Sequence, residues 1–204
     1  MSKGKLFVIS APSGAGKTSL VKQVNTEIQD LVTSVSHTTR AMRPAEVEGR
    51  DYFFVSVDEF KHMLSQNAFI EHAQVYDNFY GTARQTVEET LNKGLDVILE
   101  IDWQGAEQIK KILPDSISIF ILPPSVQVLQ ERLTGRGQDS EAVIARRMHD
   151  AITEISHYAD YDYIIVNDVF QQALLELKSI ILAYRLRNNR QQQKLAALLT
   201  DLLQ

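Results

Sequence analysis

The segment Ala-Pro-Ser-Gly-Ala-Gly-Lys-Thr at 11–18 sits between an apolar run, LFVIS at 6–10, and a stretch at 18–28 whose apolar residues recur at helical spacing. Strand, glycine-rich turn and helix in that order leave few folds open. A turn of this kind aims successive backbone N–H groups into one hollow, and the helix N-terminus adds positive partial charge, so the hollow suits phosphate. The candidate cradle comprises Ala11, Pro12, Ser13, Gly14, Ala15, Gly16, Lys17 and Thr18. Lys17 is spaced to reach the β- and γ-phosphates of a nucleoside triphosphate, and the Thr18 hydroxyl to ligate Mg²⁺. Ala11 stands where the motif G-x-x-x-x-G-K-[ST] has its first glycine, a departure that matters only if the position needs φ > 0.

Further apolar runs at 96–101, 116–122 and 163–166 alternate with helical stretches at 104–112 and from about 170. Uninterrupted apolar strands alternating with helices predict a buried parallel sheet with right-handed crossovers. Residues 35–84 have another texture, rich in Thr, Tyr, Phe and His with short alternating runs, which predicts small mixed or antiparallel strands inserted at the edge of the core. Residues 132–147 combine glycine with four arginines and a helix-start signal at Asp139 and Ser140, which predicts a mobile loop leading into a helix. The expected fold is therefore α/β with a central parallel sheet in three layers: a single domain over 1–204, with a core (1–34, 85–130, 151–204), an inserted α+β subdomain (35–84) and a helical lid (131–150).

The balance of 44% hydrophobic and 23% charged residues suits a chain able to build such a core. A net charge of −5 argues against general nucleic-acid binding, so any anionic ligand needs a local cluster of Arg and Lys. There are no cysteines, which excludes disulfides, thiolate metal sites and cysteine nucleophiles. No apolar run approaches the ~18 residues of a membrane span, and the first residues lack a secretory pattern, so a cytoplasmic protein is expected.

The inserted segment supplies the cluster. Arg40 and Arg43, with Tyr52 and Tyr80 available, can donate many hydrogen bonds to one small dianion. Glu71, between Ile70 and Ala73, is a carboxylate able to accept from both the N1–H and the N2–H₂ of a guanine, donors that adenine lacks. With these residues in view, the chain is similar to the bacterial guanylate kinases over about 5–184. The resemblance is carried in order by APSGAGKT, SVSHTTR, GRDYFF, FIEHA, YGT, EIDWQGA, ILPPS, RLTGRG and IVND.

The resemblance implies a P-loop kinase that transfers the γ-phosphoryl group of ATP to GMP or dGMP with Mg²⁺, the insertion binding GMP. It implies that Arg40, Arg43, Tyr52 and Tyr80 hold the GMP phosphate, that Ser36, Glu71 and Thr82 read the guanine, and that Asp102 lies at a strand end near the acceptor and metal. Arg132, Arg136 and Arg147 would act from the lid, and Asn167 and Asp168 would lie near the adenine. Many relatives have Asp where this chain has Glu100.

Two other readings stand beside this one: an interaction module of the same shape without chemistry, and a small kinase acting on a ribosyl bisphosphate. The five histidines, among them His37 and His157, show no metal-ligand spacing, and Trp103 is expected to pack rather than stack on a base. The polar stretch 185–194 is expected to be solvated. Leu195, Leu198, Leu199, Leu202 and Leu203 would form an amphipathic helix docking on the core or, in a homo-oligomer, on another copy, with the core slightly favoured.

Overall fold

The computed structural model describes residues 3–75, 77–135 and 141–204. Strands β1 (Leu6–Ser10), β2 (Leu31–Thr33), β7 (Asp96–Glu100), β8 (Ile117–Leu122) and β9 (Tyr163–Val166) form one sheet in the order β2-β7-β1-β8-β9, each pair parallel. Helices α1 (Lys17–Glu27) and α7 (Phe170–Arg185) cover one face, and α3 (Arg84–Asn92) and α4 (Trp103–Ile112) the other.

Both faces are buried, which explains why the strands read as unbroken apolar runs. Phe7, Ile9 and Ile98 point toward Leu20, Val24, Leu177 and Ile181, while Leu6, Val8, Val97 and Leu99 point toward Val87, Leu91 and Ile109. Successive side chains alternate faces in a strand, so each sheet surface carries its own apolar layer.

A second sheet is built from β3 (His37–Thr38), β4 (Phe53–Phe54), β5 (Phe69–Val75) and β6 (Asn78–Ala83) in the order β4-β3-β6-β5. Helix α2 (Val57–Ser65) starts with a capping box between Ser56 and Glu59 and lays the buried Phe60 against Phe69 and Phe79. Among the described residues β5 is an edge strand, and α4 supplies partners on its open side. Gln108 accepts from the His72 N–H at 3.1 Å and donates to the His72 carbonyl at 2.7 Å.

Helices α5 (Val126–Thr134) and α6 (Glu141–Ser156) pack together through Leu129, Leu133 and Ala151. Most of the loop expected between them, 136–140, lies outside the described residues. Trp103 stacks face to face on His157 at 3.8 Å, the packing role expected of it.

Most of 185–194 is exposed, as expected, but two of its arginines are not simply solvated. Arg185 ends α7 with its guanidinium on the buried Asp96, its Nε 2.8 Å from Oδ2, and Arg190 of α8 (Asn188–Lys194) approaches Oδ1 at 3.6 Å. Asp96 also accepts from the Lys5 N–H at 2.7 Å. A carboxylate at the start of a buried strand needs such partners, and Arg185 and Arg190 meet that need. Arg185→Met should therefore cost about 2–3 kcal/mol by leaving Asp96 with fewer donors. That corresponds to a fall in Tm of roughly 5–10 °C for a chain of this size, and an unchanged calorimetric Tm would show that Arg190 and Lys5 suffice.

The leucines of α9 (Ala196–Leu202) do not dock on the core, contrary to the slightly favoured expectation: Leu202 is 71% exposed and Leu198 is 50% exposed.

Candidate active site

Ligands of parallel α/β sheets bind beyond the carboxyl ends of the strands, and the ends of β1 and β7 lie side by side here, with Ile9 opposite Glu100. The cradle emerges from β1. Gly14 and Gly16 hold φ of 94° and 90°, the left-handed conformation that lets the backbone fold around an anion, and Gly16 leads into α1. Ala11 has no positive φ, so the departure from the motif carries no backbone strain.

The cradle is braced from outside. The buried Asn167 side chain donates to the Ala15 carbonyl at 2.7 Å, and Arg132 of α5 donates to the carbonyls of Asn167 (3.0 Å) and Ala15 (3.5 Å). Asp168 is exposed beside them. The Lys17 ammonium donates to the Ile101 carbonyl at 3.2 Å, and the Thr18 hydroxyl donates to Glu100 Oε2 at 2.9 Å. Glu100, where many relatives have Asp, thus faces the hydroxyl expected at the metal. Among the described residues no three His, Asp or Glu gather to hold an ion. A pair of hard oxygen donors suits Mg²⁺, which usually takes one or two protein ligands and fills its shell with phosphate oxygens and water.

The second sheet carries the acceptor-side residues. Ser36 lies 3.1 Å from the Thr82 hydroxyl, and Thr82 donates to Glu71. The register of β5 on β6 shifts between Phe69 and Glu71, a bulge that turns the Glu71 side chain inward. Glu71 is 3% exposed, and burial, reinforced by the charge of Asp102 and opposed by Thr82 and Lys17, pushes its carboxyl up to about 7. The influence of Lys17 and Asp102 on Glu71 shows that the cradle, the end of β7 and the second sheet share one electrostatic field.

Arg40 lies over the ring of Tyr52 at 5.5 Å, and Tyr52 meets Tyr80 edge-on at 5.9 Å. Burial pushes the Tyr52 hydroxyl up to about 12, so it remains a donor at any working pH. Asp102 caps α4 by accepting from the Gly105 N–H at 3.0 Å. Arg147 lies on α6, and Arg136 falls outside the described residues.

Sequence reasoning missed two carboxylates. Glu46 accepts from Arg40 at 2.7 Å and from the Arg43 N–H at 2.8 Å. Partial burial raises its carboxyl, but those hydrogen bonds win and hold it below the usual range. Its spacing, three residues after Arg43 and six after Arg40, was a usable signal. Glu154 of α6 accepts from the Ser13 N–H in the cradle at 3.2 Å, and burial pushes its carboxyl up to about 7. No local pattern announces that contact.

The model of the family described as "Guanylate kinase" matches residues 3–184. The guanylate kinase of Methylococcus capsulatus is 58% identical over 203 residues, all of both chains. That of Escherichia coli K12 is 57% identical over 205 residues, covering 100% of this chain and 99% of the relative. The crystal structure of guanylate kinase from Anaplasma phagocytophilum superposes with a TM-score of 0.78 at 36% identity, over 93% of this chain and 90% of that one.

Proposed function

Because the chain belongs to the guanylate kinase family, and so phosphorylates GMP to GDP with ATP as donor, we propose that it grips its two substrates from opposite sides of the space between β1, β7 and the second sheet. The observation that carries the reading is the buried chain Ser36–Thr82–Glu71, which faces the same field as Lys17. A buried carboxyl aligned by two hydroxyls is a fitting acceptor for the paired donors of guanine, and adenine would leave it unmatched.

In this reading the main-chain amides of 13–18 and Lys17 hold the ATP phosphates. Arg40, Arg43, Tyr52 and Tyr80 hold the GMP phosphate, which would displace Glu46 from Arg40. Thr18, with Glu100 behind it, would hold Mg²⁺, and the ion, when bound, neutralises charge on the β- and γ-phosphates. An oxygen of the GMP phosphate attacks the γ-phosphorus while the bond to the β–γ bridging oxygen breaks, and ADP leaves. This transfer asks for alignment and charge neutralisation rather than a protein nucleophile. Lys17 and the lid arginines Arg132, Arg136 and Arg147 supply the positive charge, and Asp102 orders the start of α4 beside the acceptor. Asn167 and Asp168 would border the adenine, Asn167 also holding the cradle's shape. Both substrates are cytoplasmic metabolites, and the enzyme works in that compartment.

Measuring ADP release with GMP, AMP and ribose phosphates as acceptors tests the reading. GMP alone should support turnover, and equal rates with AMP would sink the guanine-reading role of Glu71.

Water near a bound γ-phosphate would waste ATP, so the inserted subdomain (35–84) and the lid (131–150) should close only on both substrates. One contact supports this reading: Lys22 of α1 meets Asp51 of the insertion at 3.0 Å. Small-angle scattering should give a smaller radius of gyration with GMP and a non-hydrolysable ATP analogue than without ligands. Identical curves would refute closure.

A further inference from the structure

Gly105 occupies the first turn of α4, and glycine is the poorest helix former short of proline. The reason lies across the interface with β5. A Cβ built on Gly105 would fall closer than 3.0 Å to Glu71 Oε2, 3.2 Å from its Cδ and 3.3 Å from the Ile101 Cδ1. The missing side chain is the space that the Glu71 carboxylate occupies.

Moving the helix would break its hydrogen bonds to β5, whereas the Glu71 carboxylate is the far end of a flexible side chain. Gln108 pins α4 to both backbone groups of His72, the residue after Glu71. Gln104 adds a contact to the Gln74 carbonyl at 3.4 Å. Helix and strand therefore hold a fixed separation, and the only movable partner is the far end of the Glu71 side chain.

We propose that Gly105 is a specificity-determining positioning residue: by lacking a Cβ it seats the Glu71 carboxylate against Thr82 at the depth where guanine is read. This rests on the guanine-reading role of Glu71. Any larger residue at 105 drives the carboxylate toward the substrate space and off its hydroxyl partner, while the helix gains propensity and the fold is kept.

The test is a cycle of G105A, E71D, G105A/E71D and E71Q, reading KM for GMP, KM for ATP and Tm. G105A should raise KM for GMP about 10- to 100-fold, with KM for ATP and Tm near the parent values, because displacement of a recognition group by about 1 Å is costly for that substrate alone. In the E71D background, where the shorter side chain has retreated from α4, adding G105A should change KM for GMP less than about twofold. Equal effects of G105A in both backgrounds, a matching rise in KM for ATP, or a large fall in Tm would overturn the inference and make Gly105 a general packing residue. Impaired E71Q with unaffected G105A overturns the inference alone. Unimpaired E71Q removes the guanine-reading role of Glu71, and the inference falls with it.

Discussion

Replacing Lys17 by Met should lower kcat by about 10³-fold or more, the scale on which cations at a transferring phosphoryl group act, while leaving Tm within a few degrees of the parent. The ammonium already points out of the first turn of α1, with Nζ 3.2 Å from the Ile101 carbonyl at the end of β7. Binding of ATP exchanges that neutral acceptor for charged phosphate oxygens, so the favourable change is concentrated where negative charge shifts during transfer. Methionine keeps the apolar stem and removes only the charge. The carbonyl left behind costs about 1 kcal/mol, a shift in Tm of roughly 2–4 °C. A coupled assay showing kcat within tenfold of the parent would mean that the backbone amides and the metal carry the transfer without Lys17.

Glu71→Gln is the second large effect, and it separates function from stability. A carboxylate accepts from both guanine donors, whereas an amide must turn one N–H₂ toward a donor in a buried site. The unmet contacts amount to about 2–4 kcal/mol, or roughly 30- to 1,000-fold in kcat/KM for GMP, with ATP binding little changed. Burial holds the wild-type carboxyl near 7 in the free protein, so GMP binding at neutral pH should release a proton as the group ionises to accept from guanine. Affinity for GMP should rise by about tenfold between pH 6 and pH 8 through this group, and calorimetry in buffers of different ionisation enthalpy reads the proton directly. The same titrations on Glu71→Gln subtract the contribution of the GMP phosphate. A proton count equal in the two proteins would exclude Glu71 as the linked group.

The stability consequence has the opposite sign to the usual acidic residue. A carboxyl raised in the folded state binds more protons there than in the unfolded chain. Its contribution is therefore full below the unfolded value of 4.5 and is lost as pH rises to about 7. Glu154 acts in the same direction over the same window. The ligand-free Glu71→Gln protein should accordingly be more stable than the parent at pH 8, with the difference vanishing toward pH 5. That exchange of stability for recognition is common at functional sites.

The large elements were legible because their causes are local. Unbroken apolar runs, the glycine-rich turn and helical spacing located β1, β7, β8, β9, α1, α4 and the start of α7 to within a residue or so of their observed bounds. The clustered Arg40, Arg43, Tyr52 and Tyr80 also fell in one stretch of sequence, and the structure gathers Arg40, Tyr52 and Tyr80 into one ring-and-guanidinium group. Where the reading failed, the missing information was long-range. Arg185 looked solvated because Asp96, which it serves, lies 89 positions earlier, and Glu154 gave no hint of reaching Ser13 across 141 positions.

The sequence alone determined that a phosphate-binding turn opens a parallel α/β core, since each residue in that turn is chosen for the conformation of its own backbone or the reach of its own side chain. The tertiary structure decided which carboxyl is buried, which glycine makes room for it and which arginine is paired. Those outcomes depend on strand order and on the separation of α4 from β5, and both are set by burying two faces of one sheet at once. A pattern confined to neighbouring residues records the first kind of cause; only packing across distant segments creates the second.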